Sequence, residues 1–160
     1  MDYDRNPFPE GDPDRHALWE MLVRRDIEAF LARDWSMVAD DFLADRFFGL
    51  HGHFLANPDS WRLAFPTLEA YRDEWLRQAE ETARIAFAEP LREALFRITN
   101  LRDIDIAGDR AVLHKKFDGT ITRADGTVQR LAWQTLYFCQ RSGGRWRIAG
   151  FVGYLPHPMG

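Results

Sequence analysis

Apolar positions recur at helical spacing from Asp12 onward. Leu18, Met21, Leu22, Ala29 and Leu31 form one stripe, and Trp19, Val23, Ile27 and Phe30 form a second that overlaps it. An arc this wide predicts a helix that loses one face to the interior. Asp12-Pro13 reads as its start, with a capping carboxylate followed by a first-turn proline. "ARDWSMVADDFL" breaks and restarts the pattern, with Asp34 capping a short second helix that carries Trp35, Val38 and Phe42 inward. "FFGLHG" predicts a short strand and "LANPDSW" a turn-rich loop. A further helix is expected from about Thr67 to Arg84, with Tyr71, Trp75, Leu76 and Ala79 on one side.

From Leu91 the reading changes to alternation. Phe96, Ile98, Ile104 and Ile106 share one parity, and Arg97, Thr99, Asp103 and Asp105 share the other. "AGDR", "RADGT" and "SGGR" punctuate three further strands, "AVLHKKFDGTIT", "VQRLAWQTLYFCQR" and "WRIAGFVGYL". The long middle strand is apolar on both parities, so both of its faces should be covered, one by the helices and the other by a second subunit. The expected class is α+β: a single domain over residues 13–155, an extended N-terminal arm over 1–12 and a short tail over 156–160.

Charge removes some function classes. The formal net charge is -4, with 21 basic and 25 acidic side chains dispersed along the chain, so no basic stripe marks a nucleic-acid partner. The N-terminus, "MDYDRNPFPEGDPDRH", lacks the basic start and apolar run of a secretory signal, and no apolar run approaches the ~20 residues of a membrane span. A cytoplasmic location is therefore expected, which suits the single cysteine, Cys139. The aromatic content, Trp 6, Phe 12 and Tyr 4, is enough both to fill a core and to line an apolar pocket.

The order of helix, short helix, short strand, helix and antiparallel meander resembles the nuclear transport factor 2-like superfamily. The resemblance covers about Asp14 to Leu155. It is carried by "DIEAFLARDWSMVADDFLAD", "IDIAGDRAVLHKKFDGTI" and "FCQRSGGRWRIAGF". It implies a cone in which N-terminal helices pack against a strongly curved, mainly antiparallel sheet that encloses a pocket, and it implies dimers through that sheet. Superfamily members include ketosteroid isomerases, scytalone dehydratase, limonene epoxide hydrolase and SnoaL-like polyketide cyclases, alongside non-catalytic transport factors and enzyme subunits. The fold alone does not choose among them. The steroid isomerases place an aspartate base on the strand after the second helix, where this chain has "FFGLHG" with His51.

Several side chains are candidates for chemistry in such a pocket. Histidine titrates near neutrality, so His51 is a candidate general base and His114 a second acid/base or water-orienting group. Gly52 is expected to turn the chain so that His51 faces the cone and His53 meets solvent. His114 also fits a polar outer face with Lys116, Asp118 and Thr120. Tyr137, central in the long strand, is a candidate oxyanion donor or a core residue bonded to a backbone carbonyl. Trp75 and Trp133 are expected to shape the apolar wall, and Asp41 to contribute if the short helix opens onto the cone. No metal set has diagnostic spacing and no glycine-rich phosphate loop opens a helix, so neither metal nor cofactor is expected. The leading expectation is a cofactor-independent isomerase or dehydratase that moves a proton on a small, apolar or aromatic molecule. The alternative is a non-catalytic ligand-binding or dimeric assembly domain.

Overall fold

The computed structural model describes residues 2–157; the last three positions of the expected tail lie outside the described residues. The N-terminal helix has three consecutive parts: α1 (Pro13–Trp19), a wide π turn (Glu20–Arg25) and α2 (Asp26–Ala32). Asp12 caps it by accepting from the Arg15 N–H, and Pro13 opens its first turn. Arg33 ends it in the left-handed conformation. Asp34 then accepts the Ser36 N–H ahead of a 3-10 turn over Trp35–Met37, and a second 3-10 turn spans Ala39–Asp41.

Strand β1 (Phe48–His51) is followed by β2 (Arg62–Phe65), which lies just past the stretch read as a loop. Its side chains are largely exposed, so it has no buried face to announce it in sequence. Helix α3 (Leu68–Ala83) starts at Thr67, whose hydroxyl accepts from the Ala70 N–H. Residues 91–98 correct the sequence reading. They form a helix, α4 (Leu91–Ile98), and the strand begins only at β3 (Thr99–Ala107). Phe96 and Ile98 fit strand parity, but Leu91, Ala94, Leu95 and Ile98 also fall at helical spacing after Pro90. Packing decides for the helix, since Ala94 and Ile98 are buried against Ile121 and Leu131. Three long strands complete the chain: β4 (Arg110–Thr122), β5 (Val128–Ser142) and β6 (Arg145–Pro156).

The six strands form one open sheet in the order β2-β1-β6-β5-β4-β3, antiparallel except where β1 runs beside β6. The helices pack on one face. Leu18, Leu22 and Val23 of the N-terminal helix meet Leu101, Leu113 and Ile148 of the sheet there. The chain is thus an α+β protein with a curved, mainly antiparallel sheet under its helices. Residues 2–12 run over the outside of the N-terminal helix, where the Asn6 amide donates to the His16 carbonyl and Phe8 packs on the core. No helix among the described residues is long and apolar enough to cross a membrane.

Two β-bulges shape the sheet where β5 meets β6. In one, Gly153 and Tyr154 together face the single residue Thr135, and Tyr154 takes a positive φ of 55°. A bulge of this kind bends its strand and re-aims one side chain. The side chain re-aimed here is Tyr154, which joins the wall of the cavity.

Candidate functional site

A cavity of about 360 Å³ lies between the inner face of the sheet and helices α2, α3 and α4. Its walls are mostly apolar, with Phe30, Trp75, Phe117, Leu131, Trp133 and Phe151 among them. Strand alternation selects the lining: Lys115, Phe117 and Ile121 point inward from β4, and Leu131, Trp133, Thr135 and Tyr137 from β5. A few polar groups interrupt this apolar wall, which is the usual build of a small-molecule site.

The chemistry concentrates where α2 passes over β4. Asp26 is the first residue after the π turn, and its carboxylate opens to the cavity. The Trp75 indole N–H donates to Asp26 Oδ1 at 3.2 Å, and the Lys115 ammonium donates to Oδ2 at 2.9 Å. Lys115 is 1% exposed, and its ammonium also donates to the Leu22 carbonyl at 2.5 Å, within the π turn. A buried ammonium needs both a counter-charge and acceptors for its protons, and Asp26 and Leu22 supply them.

Two phenols face the same space. Burial pushes Tyr137 well above the ordinary tyrosine range, and the Asp26 charge adds to this. Tyr71 is raised in the same sense by burial, then by Tyr137 and Asp26. Both therefore remain protonated at neutral pH and are hydrogen-bond donors. The Phe151 ring lies between them, 4.9 Å from Tyr71 and 5.9 Å from Tyr137 between centroids. At one side the Gln78 amide donates to the Tyr154 hydroxyl at 2.8 Å, tying α3 to the bulge in β6.

The residues singled out in the sequence divide three ways. Tyr137, Trp75 and Trp133 line the cavity. His51 and His114 do not. The His51 ring stacks on Tyr154 at 4.2 Å and 17°, outside the lining, and its Nδ1 accepts the His53 N–H at 3.0 Å. Burial, then the neighbouring His53 charge, pushes His51 below its ordinary value, against a smaller opposing pull from Glu74. Gly52 does not part the two histidines, whose rings lie 4.4 Å apart. It instead lets two backbones meet, since a Cβ there would come within 2.9 Å of the Tyr154 carbonyl. His114 occupies the outer sheet face, where its ring meets Gln134 at 3.4 Å.

Asp41 lies in a different place from the one expected. It is 3% exposed and belongs to a separate hollow beside Met21, Met37 and Trp146. There Arg25 donates to it through Nε at 2.8 Å and Nη2 at 2.9 Å, and Arg145 also donates to it. The cage of two guanidinium groups marks it as a cross-link between the N-terminal helix and β6.

Asp26, Lys115 and Tyr71 were not distinguished by the sequence reading. One signal was available: Lys115 shares strand parity with Leu113 and Phe117, so a charge had to occupy an inward position. Asp26 likewise interrupts the apolar arc between Val23 and Ile27. Among the described residues no three His, Cys, Asp or Glu side chains converge as a metal set.

No protein-family model and no curated protein matches the chain. Solved structures do. A conserved protein from Planctomyces limnophilus DSM 3776 aligns with TM-score 0.58 and 20% identity, covering 89% of this chain and 95% of its own. An NTF2-like protein of unknown function from Silicibacter pomeroyi DSS-3 aligns with TM-score 0.54 and 17% identity, covering 91% and 98%. An NTF2-like protein with a cystatin-like fold from Novosphingobium aromaticivorans aligns with TM-score 0.54 and 13% identity, covering 92% and 84%. Likeness at these identities carries the fold and nothing finer: the chain has the nuclear transport factor 2-like fold.

Proposed function

We propose that this nuclear transport factor 2-like chain binds a small, largely apolar molecule in its cavity and moves a proton on it, as an isomerase or dehydratase that needs no cofactor. The observation that carries the reading is the Asp26 carboxylate together with two protonated phenols, Tyr71 and Tyr137, lining a single aromatic-walled cavity. In this reading Asp26, and not His51, is the base. It takes a proton from the carbon beside a substrate carbonyl, and the C–H electron pair moves into an enolate. Negative charge then grows on the carbonyl oxygen, where the phenol O–H groups donate to it. Asp26, now a carboxylic acid, returns the proton to a carbon further along the conjugated system. In a dehydration the β-hydroxyl leaves with that proton as water. Lys115 and Trp75 hold the carboxylate in place, and the aromatic wall keeps bulk water from the enolate.

Deuterium wash-in tests this directly. The protein is incubated in D₂O with β-tetralone, an enolisable aromatic ketone, and exchange beside the carbonyl is followed by proton NMR. Accelerated exchange is expected, with Asp26→Asn and Tyr137→Phe each reducing it about 10²–10⁴-fold and His51→Asn leaving it nearly unchanged. The competing reading, a non-catalytic ligand-binding domain, draws on the donors that Asp26 already holds on both oxygens. It takes precedence if the ketone quenches the fluorescence of Trp75 and Trp133 but its exchange is not accelerated.

A further inference from the structure

The far end of the cavity holds a cation that the proton-transfer reading leaves unused. Gln129 and Tyr137 line the cavity from the same face of β5. They are separated by about 26 Å of strand, at about 3.3 Å per residue. Asp26, Tyr71 and Tyr137 occupy one end. Arg123, Gln129, Glu81 and Phe87 line the other.

Arg123 is fixed at that end by its backbone. Its N–H donates to the Thr127 carbonyl at 2.8 Å, and it forms a β-bridge with Phe87. Its guanidinium is poorly satisfied. One terminal nitrogen donates to Gln129 Oε1 at 3.3 Å, while Nε is buried with no partner. The acids nearby are engaged elsewhere. Glu81 pairs with Arg77 at 2.7 Å, and Asp125 turns to the Thr127 N–H at 2.8 Å, feeling the Arg123 charge without pairing with it. The other cation on the wall, Lys115, is paired with Asp26. Among the described residues Arg123 is therefore the cavity-lining cation without an ion pair. A buried N–H left without an acceptor is costly, and a guanidinium fork fits a carboxylate through two parallel hydrogen bonds.

We infer that the ligand is an elongated apolar acid, whose carboxylate is received by Arg123 beside Gln129 while its apolar body lies along Phe117, Leu131 and Trp133 toward Tyr137. This names the substrate class for the proposed proton transfer and rests on that reading of the cavity.

The test compares ligands that differ only in the end group: decanoate against decanol, and phenylbutanoate against phenylbutanol, titrated by tryptophan fluorescence and calorimetry. Each acid is expected to bind the wild type at least about 10-fold more tightly than its alcohol. Arg123→Gln should remove that preference, weakening the acids about 10–100-fold and leaving the alcohols unchanged, and Arg123→Lys should restore part of it. If Arg123→Gln does not fold, the wild-type comparison and Arg123→Lys decide the matter. Equal binding of acids and alcohols by the wild type, or equal weakening of both by Arg123→Gln, overturns the inference. Alcohol binding without acid preference sinks the acid assignment and leaves the pocket reading standing; binding of neither class overturns both.

Discussion

Among the described residues Lys115 is the most buried charged side chain. Its ammonium has left water for a site whose acceptors are one carboxylate and one helix carbonyl. Removing one member of such a pair costs more than the pair contributes, because the remaining charge keeps its desolvation penalty. Lys115→Met is expected to destabilise the fold by somewhat less than the about 3–5 kcal/mol of a fully buried pair, since Asp26 opens to the cavity. The double variant Lys115→Met/Asp26→Asn should recover much of that loss in urea denaturation. A double variant no more stable than the single one would mean that the pair is not the source of the effect. His51 gives a second test at this scale. Its folded value lies below its ordinary 6.5, so the unfolded chain binds more protons in that window and stability rises with pH. The contribution is fully present above 6.5 and is lost as pH falls through the lowered folded value. Melting temperatures of wild type and His51→Asn should therefore converge or cross as pH is lowered from neutrality, to the disadvantage of wild type. His51 was expected to face the cone, whereas Lys115, which does line the cavity, was not singled out in the sequence. Residue type drew attention to histidines, whereas the candidate site is marked by charges at inward positions of apolar elements.

Elements were more legible than residues because caps and periods are local. Asp12, Asp34 and Thr67 act as caps where their side chains and spacing predict. Elements whose identity depends on distant partners were not legible. Residues 91–98 fit both periods until Ile121 and Leu131 cover one side of them, and β2 has no buried face at all. The bulge that turns Tyr154 into the cavity comes from pairing with β5, and nothing within "GFVGYLP" distinguishes its register. Strand β6 also tests the packing of the last hairpin. Trp146 is 4% exposed; its indole N–H donates to Asp14 at 3.1 Å and the Arg141 guanidinium covers its ring at 4.5 Å. Trp146→Ala should lower unfolding stability by about 3–5 kcal/mol. A change below about 1 kcal/mol, within the range of surface substitutions, would place the ring outside the core.

At the scale of the whole molecule the fold was readable because element order constrains topology: short connections and consecutive hairpins leave few ways to arrange these strands. The same order leaves one face of the sheet without helices. Phe48, Val112, Leu136 and Phe138 lie half-buried there, with the Phe48 ring over Gly150 and 5.8 Å from Phe138. Their opposite-parity neighbours Leu113, Tyr137 and Cys139 are already buried against the helices, so these residues have no interior left to enter. A contiguous apolar surface on a free sheet face disfavours a monomer. A second copy covering it through a two-fold axis needs about 800 Å² from each partner to be stable. The expected species is therefore a homodimer through the sheet. Light scattering at tens of micromolar should give twice the chain mass. Leu136→Arg, which places a charge at the centre of the contact and leaves the cavity face of β5 untouched, should give a folded monomer. A wild type that is monomeric at that concentration, or a Leu136→Arg variant that remains dimeric, would assign the outer face to solvent and the pairing to another surface.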